Sequence, residues 1–313
     1  MATDNFADLQ RWREPPVFRL LSTGTLFSGS HINKTWRGLA QTPGSHEAGL
    51  PMLVKYMARK PVIAAELACA VAARALKLQV PGGSLVIAQR DQLPGLPNSV
   101  RGSATDLVLC YGSEYKFPDD TVARPTQAQD VEEWIWRRLC HTAQGPIGGV
   151  WDELVANDDR HCENVVYDGA NWWLIDHEAS LPSVAKAMKK FAEAQARQSV
   201  IDEKAAVNTL AHEVLTRRPN DHKMDALPAH WQTLRKRLSW LGDQAQAWRT
   251  PMPEVNAVLE MAHLYLRGIE LRLPALALHL SDRMQNPESA SLWNSYKSSA
   301  PATPRKTTLR PRA

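Results

Sequence analysis

Strand-like and helix-like patterns are segregated along this chain, and that order leaves few architectures open. Four short runs of strand character fall in the first ninety residues: PVFRLLST, KTWRGLAQ, LPMLVKYM and GGSLVIAQ. TPGSHEAG divides the second from the third and reads as a hairpin loop, since proline and glycine favour a reversal there. Between the third and fourth lies PVIAAELACAVAARALKLQV. Its apolar residues recur at helical spacing, and Pro61 sits near the first turn, where a missing N–H is harmless. Residues 91–125 are loop-rich and proline-rich, with room for one short strand, DLVLCYG. TQAQDVEEWIWRRLCHTA and VWDELVAN then read as helices. Beyond Leu181 the pattern is helical over roughly 183–217, 227–249 and 252–282, broken at Pro219, Pro228 and Pro251–Pro253. The order predicts an α+β fold in two lobes: a small antiparallel sheet carrying one helix (residues 1–92), then a larger, mostly α-helical lobe (93–285).

Charge placement narrows the partners. From Met284 onward five bases (Lys297, Arg305, Lys306, Arg310, Arg312) face one acid, Glu288, so this segment holds the whole net charge of +4. The body is neutral and carries no nucleic-acid footprint. Residues 286–313, rich in Ser, Thr, Pro and Arg, are expected to form a disordered basic tail, having too little apolar area to offset ordering entropy. The best candidate for a membrane span contains Glu66, Arg74 and Lys77, which argues against one. MATDNFADLQRWRE has no apolar core of a secretion signal. The four cysteines show no paired spacing and are expected to be reduced thiols of a cytoplasmic protein.

The stretch NDDRHCENVVYDGANWWLIDHE, residues 157–178, concentrates the chemistry. NVVYD and NWWLID are two strand-like runs joined by Gly169 and Ala170, a plausible hairpin. Antiparallel pairing would set Asn164, at the start of one strand, beside Asp176, at the end of the other. Asp159 lies one loop earlier. Hard oxygen donors at one mouth suit Mg²⁺, and a nearby carboxylate suits the orientation or deprotonation of a hydroxyl. Taken alone, the same residues also describe a polar turn with solvated acidic ends. The small lobe shifts the balance. Lys55 lies in the strand-like MLVKYM, and Glu66 follows eleven residues later on the helix. A strand lysine held by a helix glutamate is the usual grip on nucleotide phosphates in a kinase small lobe.

These residues resemble a family. ANDDRHCENVVYDGANWWLIDHE is similar to the catalytic hairpin of HipA-like kinases, in which an N-x-D-R-H-x-x-N run precedes IDH. AAELACAVAARALKLQVP is similar to the small-lobe helix of that family. The resemblance spans roughly residues 17–182. It implies a two-lobed protein-kinase-like fold and ATP with Mg²⁺ as cofactors. Asp159 would be the catalytic aspartate, Asn164 and Asp176 the metal ligands, and Lys55 the ATP contact held by Glu66. It further implies a protein Ser or Thr acceptor and, as in several members, a toxin with an antitoxin or other small regulatory partner. The strand ending at Gln89 is expected to lead into the adenine-facing hinge. The loop containing Ser28, Gly29 and Ser30 is expected to cover the phosphates, with its serines as candidate autophosphorylation sites. His161 and His177 are expected to support the catalytic loop by hydrogen bonding.

Two other functions stay open. Aminoglycoside- and choline-type phosphotransferases share D-x4-N and a later ID, although NDDRH differs from their HGD type. A nucleotide-binding module without turnover is the other. A zinc site at His161, Cys162 and His177 lacks the usual repeated ligand spacing. No G-x-S-x-G elbow is present to anchor a serine hydrolase. Most of the eleven tryptophans are expected in the core, with Trp231, Trp240 and Trp248 as a possible partner surface.

Overall fold

In the computed structural model the described residues are 6–27, 33–98, 100, 102–103, 105–118, 128–218 and 231–285. Strands Val17–Leu20 (β1), Thr25–Leu26 (β2), Thr35–Gln41 (β3), Leu50–Lys55 (β4), Gly83–Gln89 (β5) and Leu107–Glu114 (β6) form one sheet. Their order is β1–β5–β6–β4–β3–β2, and β1 also pairs with β3, Arg19 opposite Gln41. The sheet therefore curls into a small closed barrel. All four early strand-like runs are strands. The expectation of an antiparallel sheet needs one correction: β1 and β5 run parallel, Val17 opposite Leu85. Parallel neighbours need a long crossover, and here it includes β2, β3, β4 and helix Lys60–Ala75 (α1).

The short strand read at DLVLCYG forms as β6, eight residues long, and lies between β5 and β4. The sheet therefore ends at Glu114. Trp36, Met52, Val54, Val86 and Cys110 fill the barrel. Gly112 of β6 faces this filling, where a Cβ would stand 2.3 Å from Val86 Cγ2, so only glycine fits.

α1 is enclosed on all sides. Ile63 through Ala73 are buried without a break, as expected of a helix that is apolar all round. Small residues let it approach the sheet: at Gly83 of β5 an added Cβ would meet Ala70 at 2.5 Å. Its other side packs on helices Trp231–Ala247 (to be called α7) and Pro253–Gln285 (α8). Arg237 of α7 donates to the Ala75 carbonyl at 2.6 Å, satisfying a C-terminal group of α1 that has no partner within the helix. The same guanidinium pairs with Asp8 in the short 3-10 helix Ala7–Arg13.

The remaining helices are Ala128–Cys140 (α2), Gln144–Leu154 (α3), Pro182–Ala187 (α4), Ala194–Asp202 (α5) and Thr209–Arg217 (α6). The long helical stretch expected at 183–217 is thus three helices. Glu203 is extended, and Asn208 caps α6 by accepting the Ala211 N–H at 3.0 Å. Arg272 of α8 is buried and donates to the carbonyls of Leu154, Glu153 and Val200 at 2.6, 2.9 and 2.7 Å, joining α3, α5 and α8. Trp151 and Trp248 are core residues, and Trp240 packs partly buried against the core. Among the described residues no helix is long and apolar enough to cross a membrane. Cys69, Cys110, Cys140 and Cys162 are free thiols. Ser28, Gly29, Ser30 and the segment 286–313 lie outside the described residues.

Candidate active site

The hairpin forms where the sequence placed it. Val165–Tyr167 (β7) pairs with Trp172–Leu174 (β8), Val165 opposite Leu174 and Tyr167 opposite Trp172. Its turn is closed by Asp168, whose Oδ1 accepts the N–H groups of Ala170 and Asn171 at 3.0 and 2.7 Å, while Gly169 takes the left-handed conformation at φ +95°. At the other end the Ile175 N–H donates to the Asn164 carbonyl at 3.1 Å. Asn164 and Asp176 therefore share one mouth, as expected. Asn164 is buried and donates its side-chain N–H to the Asp159 carbonyl at 2.8 Å. That bond fixes which way the amide is turned and leaves Oδ1 as its acceptor atom. Asp159 is exposed, and its backbone N–H is held by Asn157 Oδ1 at 3.2 Å.

Asp176 ends the extended run abruptly. Its φ is +59°, a left-handed conformation uncommon outside glycine and best tolerated by Asn and Asp. Beyond that bend its carboxylate meets Lys55, the last residue of β4, at 3.0 Å. Glu178 approaches the same ammonium at 2.9 Å and Glu66 at 3.7 Å. β4, α1 and the end of the hairpin thus converge on one cation. Burial draws the Lys55 pKa down, but Glu66, Asp176 and Glu178 together outweigh it and raise it. Burial pushes the Glu66 carboxyl up, and the two other carboxylates add to that while Lys55 opposes it. The second oxygen of Glu66 accepts the His177 N–H at 3.0 Å. Oxygens of Glu66, Asp176 and Glu178 lie within 4.8 Å of one another, with Lys55 as their counter-charge. Glu178 also accepts from Asn33 at 2.9 Å, tying the β2–β3 connection to the hairpin.

Beneath the hairpin lies a buried polar network of which the sequence singles out His177 but neither Arg160 nor Asp152. Arg160 and Asp152, both fully enclosed, pair through two bonds of 2.9 Å. Arg160 also donates to the Asn164 carbonyl at 2.8 Å, to the Ile175 carbonyl, and to His177 Nε2 at 3.0 Å. Trp151 Nε1 donates to the same His177 nitrogen at 3.0 Å. An indole N–H only donates, so His177 Nε2 is an acceptor and the ring is neutral, protonated on Nδ1. Burial, with Arg160 and Lys55 nearby, holds the His177 pKa well below 6.5. His177 is thus hydrogen-bonded to Arg160 and Trp151 beneath the loop. His161 contributes its carbonyl, which accepts the Asn164 N–H at 3.0 Å.

A cavity of about 220 Å³ lies between sheet and hairpin. Leu53, Val80, Val166 and Ile175 form apolar walls, and Lys55 and Asp176 its polar end. Ser113, Glu114, Tyr115 and Lys116 line it too, so the chain leaving β6 forms the rim. This corrects the placement of Gln89. Gln89 pairs with Leu107 and Gly83 with Ser113, which sets Gln89 at the far end of β5, about 20 Å along the strand at the usual rise. There its backbone N–H donates to Gln92 Oε1 at 2.8 Å, closing the turn 90–92. A larger cavity of about 450 Å³ opens beside Arg11, Arg74 and Glu47 and includes none of Lys55, Glu66, Asp159, Asn164 or Asp176.

No family model matches the chain, and no curated protein matches it. Among solved structures it is similar to the crystal structure of CtkA, a proinflammatory kinase of Helicobacter pylori. The TM-score is 0.45 and the identity 13%, over 83% of this chain and 98% of that one. A likeness at that level decides neither fold nor activity.

Proposed function

We propose that this chain is an ATP-dependent phosphotransferase of the HipA-like type, transferring the γ-phosphoryl group to a hydroxyl, on Ser or Thr of a protein. One observation carries the reading: Lys55 from β4, Glu66 from α1 and Asp176 from just beyond β8 meet at the end of one cleft. Phosphoryl transfer is mostly positioning and charge stabilisation, and these groups supply both. Lys55 would hold the phosphates in exchange for its contacts with Asp176 and Glu178, while Glu66 keeps it at the cleft floor. Asn164 and Asp176 offer an amide and a carboxylate oxygen at one mouth, a donor set that fits Mg²⁺. Bound there, the ion would neutralise charge on the phosphates. Asp159, exposed one loop away, would orient the acceptor hydroxyl and take its proton.

A protein acceptor, and a toxin role with an antitoxin partner, rest on the hairpin's resemblance alone. The test separates the alternatives. Wild type and Asp159→Ala are incubated with Mg²⁺ and γ-labelled ATP, once with cell lysate and once with aminoglycosides and choline, and products are read by mass spectrometry. Phosphopeptides that appear with wild type and vanish with Asp159→Ala support the reading. A phosphorylated small molecule instead makes it a small-molecule kinase. Nucleotide binding without any transfer makes it a binding module, and no binding overturns phosphotransfer altogether.

A further inference from the structure

We infer that Arg160 is the positioning residue that sets the spacing between Asn164 and Asp176, an inference that rests on the phosphotransferase reading. A guanidinium has five N–H donors in a rigid fork, and each finds an acceptor here. Nε and one Nη2 hydrogen take the two oxygens of Asp152. The other Nη2 hydrogen takes His177 Nε2. Both Nη1 hydrogens go to the hairpin mouth, to the carbonyls of Asn164 and Ile175. The first carbonyl belongs to one proposed ligand residue. The second belongs to the peptide that leads into the other, Asp176. One nitrogen therefore grips the backbone beside both ligands. α3 fixes the fork from behind through Asp152, a residue of its last turn.

The hairpin needs this grip. Its ladder ends at Val165 and Leu174, and beyond it the Ile175 N–H to Asn164 bond spans the mouth. Asp176 then leaves in a left-handed turn, so the ladder does not dictate where its carboxylate goes. Lysine would keep the charge opposite Asp152. Its three donors radiate from one atom, however, and cannot reach α3, His177 and two carbonyls in fixed directions.

The test is calorimetric titration of ATP at stepped Mg²⁺ concentrations, with wild type, Arg160→Lys and Asp152→Asn. Partners that orient metal ligands typically change metal affinity 10- to 100-fold when lost. For Arg160→Lys the Mg²⁺ concentration giving half-maximal enhancement of ATP binding should rise about tenfold or more. ATP affinity without metal should stay within about twofold, since Lys55 is untouched. Amide exchange at Ile175, followed without metal or nucleotide, should accelerate. A purely structural arginine would lower stability and leave the Mg²⁺ dependence of the folded protein alone, and that result overturns the inference. Should Arg160→Lys not fold, Asp152→Asn decides: it loosens the anchor and should shift the Mg²⁺ midpoint in the same direction, and an unshifted midpoint overturns the role. Wild type without Mg²⁺-dependent ATP binding overturns the phosphotransferase reading and this inference with it. A normal wild type beside unshifted variants overturns the positioning role alone.

Discussion

Lys55 and Asp176, 121 residues apart in the chain, meet at 3.0 Å. Lys55→Met removes the cation that Glu66, Asp176 and Glu178 share. Breaking an enclosed ion pair leaves uncompensated charge, and with Asp176 and Glu178 partly exposed the loss of stability should be about 2 kcal/mol. ATP affinity should fall about tenfold or more, the cost of one charge-assisted contact. Denaturant unfolding and ATP calorimetry of the same sample check both. A variant with wild-type affinity would remove Lys55 from the site.

Asp159 and Asp176 should fail in different ways. The comparison needs Asp176→Asn, because alanine would add the cost of a left-handed backbone to that of the lost charge. Asp176→Asn should weaken Mg·ATP binding and turnover together. Asp159→Ala should leave Mg·ATP binding within about twofold while turnover drops at least a hundredfold, the range of a lost general base. Equal losses of nucleotide binding in the two would show the assigned roles to be wrong.

Glu178 competes for Lys55 and, through Asn33, ties the β2–β3 connection to the hairpin. Glu178→Gln should therefore tighten binding of metal-free ATP about fivefold, the scale of one partly exposed ion pair. Filter binding or calorimetry in the presence of a chelator measures it. Weaker binding would mean that Glu178 helps to hold the nucleotide.

The neutral, buried His177 makes the fold acid-sensitive. An unfolded imidazole takes a proton near pH 6.5, while the folded one does so only well below that value. The unfolded state therefore binds more protons in between. This contribution to stability is complete above pH 6.5 and is lost as pH falls, by about 1.4 kcal/mol per pH unit. In His177→Gln that slope should disappear. Unfolding free energies at pH 7.0 and 5.5 should fall by about 1–2 kcal/mol more in wild type than in the variant. Equal losses would place the acid-sensitive group elsewhere.

What the sequence revealed and what it concealed divide along physical lines. The hairpin, α1 and the first strands were legible because periodicity and turn residues act locally. Lys55 and Glu66 were legible because a fixed strand-to-helix offset joins them. β6 was read only as a possible short strand, because its stability comes from β4 and β5, neighbours that local composition does not reveal. Gln89 was placed at the wrong end of β5 for the same reason: the pairing of β6 decides which end of the sheet faces the cleft. Arg160 sits in a run of charged residues and looks solvated. It is 1% exposed, because Asp152, eight residues earlier in the last turn of α3, pairs with it. Glu178 carries no signal of its own in the sequence, because its partners, Lys55 and Asn33, lie more than a hundred residues away in the chain.

α1 carries Glu66 while walled in by the barrel on one side and by α7 and α8 on the other. A helix so placed cannot swing outward without tearing open the core that both halves of the molecule share. The enclosure of α1 thus holds Glu66 within 3.7 Å of Lys55. If the proposed phosphotransfer takes place here, control would fall to the rim of the cleft and to the Asn33–Glu178 tie. A cut placed between Lys55 and Glu66 would yield not two idle lobes but two fragments without a core.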